Sequence, residues 1–184
     1  GATSSSGGGV AAAFDFENAL QLDGVNDYVN FTEQTYASTV FSASFWIRYT
    51  TVNTNRIIFG SDSNSNRYFR LDSATQFSMR TRSAGGSIDT FTVPTLSAGQ
   101  WYHVAVSGTL GSYKMFVNGV QSGPTLTRTD LNFNSSNNLW IGQLYNDSGV
   151  SAFRGYMSNL RIINGKALYT SDFNHTLSAA VPLQ

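Results

Sequence analysis

The chain has 184 residues, enough for one domain, and a formal charge of zero, with 11 Lys and Arg against 11 Asp and Glu. It contains no cysteine, which excludes disulfides, thiolate-bound metal and cysteine nucleophiles. Charged residues are only 12% of the chain, about half the usual share, and such a surface attracts nucleic acid or anionic lipid poorly.

Residues 1–13 read GATSSSGGGVAAA. Gly and Ser dominate, so nothing there anchors a core, and the composition predicts a flexible N-terminal arm. Two roles fit it, a plain linker or an arm that docks on a neighbouring subunit. Residues 14–184 are expected to form one domain. Short strands are predicted over 18–22 and 28–31, separated by the turn signals Asp23-Gly24 and Asn26-Asp27. The cleanest alternation runs over 41–49. Phe41, Ala43, Phe45, Ile47 and Tyr49 share one face, and Ser42, Ser44, Trp46 and Arg48 the other. The first face is core, which leaves Trp46 either to meet a second element or to stay partly exposed.

Further strands are predicted over 56–59, 68–71, 77–82, 90–93, 101–106 and 113–117. Asn118-Gly119 then marks a hairpin, because a type I′ turn needs positive φ at both central residues. The last strands are predicted over 139–141, 153–158 and 160–163. Runs this short, at intervals of about ten residues and without an amphipathic helix, predict an antiparallel β-sandwich. Residues 175–184 carry Leu177, Val181 and Leu183 and are expected to lie along the body. No run reaches 18 apolar residues, so no membrane-spanning helix is predicted, and no secretory signal is visible.

Six segments in order carry a resemblance. They are 20–29 (LQLDGVNDYV), 41–48 (FSASFWIR), 101–106 (WYHVAV), 114–119 (KMFVNG), 139–142 (LWIG) and 153–162 (FRGYMSNLRI). Together they resemble the laminin G-like and pentraxin-like branch of the concanavalin A-like lectin/glucanase jelly rolls. The resemblance implies an all-β, two-sheet antiparallel jelly-roll sandwich. A narrower likeness lies in 163–173 (INGKALYTSDF), which is similar to the ending of such domains in tail, fibre and capsid-surface proteins of tailed phages. It implies a virion surface or otherwise extracellular setting.

The same resemblance implies calcium near one rim, and calcium needs several hard oxygens converging at about 2.3–2.6 Å. Asp23 and Asp27 flank a tight turn and are the first candidates. Caps on their own turn are the alternative reading. Asp62 with Asp72, and Asn146 with Asp147, are weaker candidates. Sugar binding needs an aromatic ring ringed by polar groups. Tyr145, Asn146 and Asp147 form one candidate loop group, and Arg67 with Tyr68 a second.

Hydrolysis finds little support. A glycosidase needs two carboxyls at about 5–5.5 Å or about 6.5–9.5 Å, yet Glu17 and Glu33 are the only glutamates and no Glu-x-Asp occurs. The only histidines are His103 and His175, which offer no zinc spacing. His103 sits in a predicted strand, where a packed or hydrogen-bonded sheet histidine is the expectation. Arg80 and Arg82, with Arg70 near, share one strand face, where a solvated sheet face is the favoured reading and a small basic stripe the alternative. Gly7-Gly8-Gly9 lacks the preceding strand and the lysine of a phosphate loop.

These readings converge on a non-enzymatic virion structural or appendage module. It would pack as a homo-oligomer or against other virion proteins and present loops to a cell-surface glycan. The alternative is a free carbohydrate-binding lectin domain.

Overall fold

The computed structural model describes residues 19–31, 39–51, 55–60, 67–80, 88–127, 138–144 and 151–175. Twelve strands form two antiparallel sheets in these residues. They are β1 (Leu20–Asp23), β2 (Val29–Phe31), β3 (Phe41–Tyr49), β4 (Arg56–Gly60), β5 (Tyr68–Ser73) and β6 (Gln76–Arg80), then β7 (Asp89–Thr92), β8 (Tyr102–Thr109), β9 (Ser112–Val117), β10 (Val120–Gln121), β11 (Leu139–Ile141) and β12 (Arg154–Asn164). Sheet A has the order β1-β12-β3-β8-β9-β10, and sheet B the order β2-β11-β4-β5-β6-β7. The expected jelly-roll sandwich is therefore the observed architecture. The arm 1–13 and the domain start at residue 14 lie outside the described residues, as do 176–184.

Alternation builds the core. Phe45 is fully buried from sheet A and sets its edge against Phe59 and Phe69 of sheet B, at 6.1 and 5.9 Å between centroids. Phe69 stacks on both Phe59 (5.6 Å) and Phe77 (5.5 Å). This ladder of rings crosses from one sheet to the other, and each pair contributes about 0.5–1.5 kcal/mol beyond its area burial.

The hairpin signal is realised at β9–β10. Asn118 has φ 50° and Gly119 φ 80°, and the register pairs Val117 with Val120. One strand prediction needs correction. Residues 153–158 and 160–163 are not two strands but the single long β12. A bulge shifts its register on β3 between Ser158 and Arg161, with Asn159 at φ 50°. The bulge adds a residue that the partner strand does not match, so the alternation changes phase and reads as a break.

The outer face of sheet A is covered over β3, β8 and β9. On β3 the even residues Ser42, Ser44 and Trp46 are as buried as the core face. Residues 165–173 pack over them as a strap. The Ser42 hydroxyl donates to the Lys166 carbonyl (2.8 Å) and accepts the Leu168 N–H (2.7 Å). Ser107 accepts the Tyr169 N–H (3.1 Å), and Ser44 pairs with the Tyr169 hydroxyl (3.1 Å). The strap also meets the hairpin, where the Phe173 N–H donates to the Gly119 carbonyl (2.9 Å). A Cβ at Gly119 would lie 2.0 Å from the Phe173 carbonyl oxygen, so only glycine fits that approach.

Candidate functional site

Three surfaces of the sandwich carry chemistry, and the sequence pointed at parts of each. The first is the turn between β1 and β2. Asp23 Oδ1 accepts the N–H groups of Val25 (2.7 Å) and Asn26 (3.2 Å), and Asp27 Oδ2 accepts the Asp23 N–H (2.9 Å). The Val25 N–H bond, helped by those of Asn26 and Asp27 and by Arg154, holds the Asp23 carboxyl below its usual range. Gly24 lies against Arg154 at φ 77°, where a Cβ would approach the Arg154 Cβ to 2.6 Å.

Both aspartates thus spend an oxygen on their own turn. Calcium takes about 6–8 oxygens, and the described residues hold no group of three or more His, Asp or Glu side chains that could bind a metal.

Beside this turn the antiparallel pairing of β1 with β12 opens a pocket of about 210 Å³. Its lining is Gln21, Leu22, Asp23, Thr50, Arg154, Gly155 and Tyr156. Register assembles it, since Gln21 lies opposite Tyr156 and Asp23 opposite Arg154. Arg48, opposite Tyr156 on β3, sets its guanidinium 4.4 Å from the Tyr156 ring centroid and 5.7 Å from that of Trp101. The pocket gathers an aromatic ring, an amide, a carboxylate, a hydroxyl and a guanidinium. It is smaller than the roughly 300–1,000 Å³ typical of small-molecule sites, a size suited to one ring of a polar ligand. Sequence reasoning found Asp23 but missed Gln21, Thr50, Arg154 and Tyr156. Only the strand register brings residues 21 and 156 together, and no local pattern encodes it.

The outer face of sheet B is the second surface. Tyr68 begins β5, in keeping with the strand predicted over 68–71, and is 5% exposed. The Arg70 guanidinium covers its ring at 4.9 Å, so Tyr68 backs an arginine rather than presenting an open stacking face. Arg70 Nε donates to Asp72 Oδ1 at 2.5 Å, and the Ser78 hydroxyl donates to Asp72 Oδ2. Arg67 directly precedes the strand, and its carbonyl oxygen would lie 2.6 Å from a Cβ at Gly60. The same Gly60 position would meet the Leu144 side chain at 2.5 Å, so the chain just before Tyr145 passes close to Tyr68. Tyr145, Asn146, Asp147, Asp62 and Arg82 lie outside the described residues.

The third surface lies beneath the strap on sheet A. His103 is 2% exposed and packs against Trp46 (5.4 Å), Phe173 (5.7 Å), Tyr169 (6.3 Å) and His175 (6.3 Å). Burial, with the charge of His175 as the smaller cause, lowers its pKa to about 4. Burial likewise lowers His175. His103 is a packed sheet histidine.

The fold is shared with solved structures of low identity. A heptameric SAP-like pentraxin from Limulus polyphemus aligns at TM-score 0.63 and 19% identity, over 88% of this chain and 80% of that one. The carbohydrate-binding module CBM40 of a Ruminococcus gnavus IT-sialidase, bound to α2,3-sialyllactose, aligns at 0.60 and 16%, over 90% and 96%. Domain 4 of the extracellular arabinanase AbnA from Geobacillus stearothermophilus, in complex with arabinotriose, aligns at 0.56 and 23%, over 81% and 71%. No curated protein sequence shows a significant match to the chain. The family model Laminin_G_3 matches residues 23–171, a span that runs from the Asp23 turn to the strap, and the chain accordingly belongs to this family of the concanavalin A-like lectin/glucanases superfamily.

Proposed function

We propose that the chain is a non-enzymatic carbohydrate-binding module whose ligand enters the pocket between β1 and β12. The observation that carries this reading is the pocket itself. It sets Tyr156 beside Gln21, Asp23, Thr50 and Arg154, which pair an apolar ring surface with both donors and acceptors. A sugar ring has the complementary surface, apolar C–H faces edged by hydroxyls. Binding would lay one such face on Tyr156, while Arg48 behind the ring holds it in place. Gln21 and Thr50 would each donate and accept, Asp23 would accept through the oxygen its turn leaves over, and Arg154 would donate.

Structural neighbours complexed with sialyllactose and with arabinotriose support this class of ligand. An extracellular setting follows as part of the same proposal, and a homo-oligomer such as the heptameric pentraxin neighbour is its natural quaternary form. The narrower virion placement has less behind it. It rested on residues 163–173, and the strap accounts for Lys166, Leu168, Tyr169 and Phe173 by docking on sheet A. Calcium enters as a question for experiment.

A broad glycan array, probed once in calcium and once in chelator, tests the reading. Reproducible binding to one glycan class, lost in Tyr156→Ala at unchanged melting temperature, is the expected result. Loss in chelator would bring back a metal at the Asp23 turn. Silence in both conditions would overturn the proposal.

A further inference from the structure

Among the described residues, the outer face of β5 and β6 holds two arginines, Arg70 and Arg80, against one carboxylate, Asp72. Phe69, Leu71, Phe77 and Met79 are all fully buried in the core. Their alternates on β5 and β6, namely Tyr68, Arg70, Asp72, Gln76, Ser78 and Arg80, therefore point outward. The register places Arg80 opposite Tyr68, and Ser78 opposite Arg70. Arg70 and Arg80 are thus diagonal neighbours on one face, close enough for long side chains to converge. Asp72 is the one carboxylate in this row, and its two oxygens are taken by Arg70 Nε and the Ser78 hydroxyl. Asp89 pairs with Met79 and so faces the other side of the pleat from Arg80.

Among the described residues Arg80 has no counter-charge, and its Nε is buried with no hydrogen-bond partner. A desolvated, unpaired guanidinium N–H is costly, and most such groups in folded proteins are satisfied. An orphan of this kind marks a place where an acceptor is missing. Arg70 is held ready beside it. Tyr68 supports its guanidinium at 4.9 Å and Asp72 fixes its Nε, so its terminal nitrogens are the donors left to offer. A planar fork of this type matches an oxyanion.

We propose that Arg80 and Arg70 form a second binding site, for an oxyanion carried on a saccharide, either a carboxylate or a sulfate. The inference rests on the carbohydrate-binding reading for the carrier of the charge, but not on the pocket between β1 and β12. The test compares matched oligosaccharides of one backbone in neutral, carboxylated and sulfated forms. Their affinities are measured by calorimetry at two salt concentrations on the wild-type chain, Arg80→Gln and Arg154→Gln.

The acidic forms are expected to bind at least about tenfold tighter than the neutral one at low salt, with the margin shrinking at high salt. Arg80→Gln is expected to abolish the margin, keep the neutral affinity and leave the melting temperature unchanged or raised, since it removes an unpaired charge. A margin for one acidic form alone supports the site and names its anion. Equal margins for both support a site that reads charge. Neutral and acidic forms bound alike by the wild type would overturn this inference and leave the carbohydrate-binding reading standing. So would a margin that survives Arg80→Gln and falls in Arg154→Gln. No binding by any form would overturn both.

Discussion

The outer faces of the two sheets have the same alternating pattern and opposite fates. On sheet A the outward residues Ser42, Ser44, Trp46, His103, Ala105 and Phe116 are all buried, because the strap 165–173 brings backbone groups for the serines and rings for the aromatics. On sheet B the outward Tyr68 and Ser78 are buried, but Arg70, Asp72, Gln76 and Arg80 stay partly exposed, and the order there comes from charge pairing and an arginine–tyrosine stack. The comparison separates the structural from the available. A face of small hydroxyls and rings can be sealed by the chain itself. A face whose arginines stay partly exposed, one with an Nε that has no acceptor among the described residues, keeps donors available to a ligand.

The sharpest way to break the comparison is to remove what both faces share. Phe69→Ala opens a hole where three aromatic contacts meet. The expected loss is about 3–5 kcal/mol in urea unfolding. A loss under about 1 kcal/mol would show that the ring ladder does not carry the core.

Acid should act on the sealed face. His103 has a folded pKa of about 4 against an ordinary value of 6.5, so the folded state favours the neutral ring. Its contribution to stability is then complete above pH 6.5 and is lost as pH falls toward 4. The loss at pH 5 is about 2 kcal/mol relative to pH 7.5. His175, lowered in the same direction, adds to it. Melts at the two pH values should diverge in the wild type and move closer together in His103→Phe. An equal acid loss in both would place the sensitivity elsewhere.

A smaller effect separates strap from sheet. Gly119→Ala puts a methyl onto the Phe173 carbonyl in a left-handed backbone position. It should cost about 1–2 kcal/mol and make the segment beyond Ile163 cleavable in limited proteolysis. Unchanged proteolysis would mean that the hairpin does not pin the strap. The smallest stability effect belongs to the other face. Asp72→Asn weakens a partly exposed ion pair and should shift stability by about 1 kcal/mol or less. A much larger shift would show that sheet B also depends on its outer face.

Legibility in the sequence follows the range of the interaction. β3 was readable at both ends, because alternation over nine residues is local, and the Asn118-Gly119 hairpin was readable because its turn chemistry is local. β12 was misread as two strands where Asn159 bulges. The Asp23 turn was readable as a cap, and the Asp23–Val25 bond bears the pattern out. The pocket was not readable, since Tyr156 meets Gln21 across 135 residues of chain through a register that no short pattern specifies. The strap was equally hidden. Its residues follow no period, and the serines that receive it look like solvent-facing positions until a partner is placed on them.

The central claim is that ligand meets the open edge of sheet A, beside β1 and β12, and not the face beneath the strap. Chemical-shift mapping of the isotope-labelled chain, titrated with the glycan that binds best on the array, tests it most directly. Saturable shifts at Gln21, Thr50, Gly155 and Tyr156, with Leu168 and Tyr169 unmoved, are the predicted result. Shifts centred on the strap and His103, or none at any residue up to saturating sugar, would contradict it.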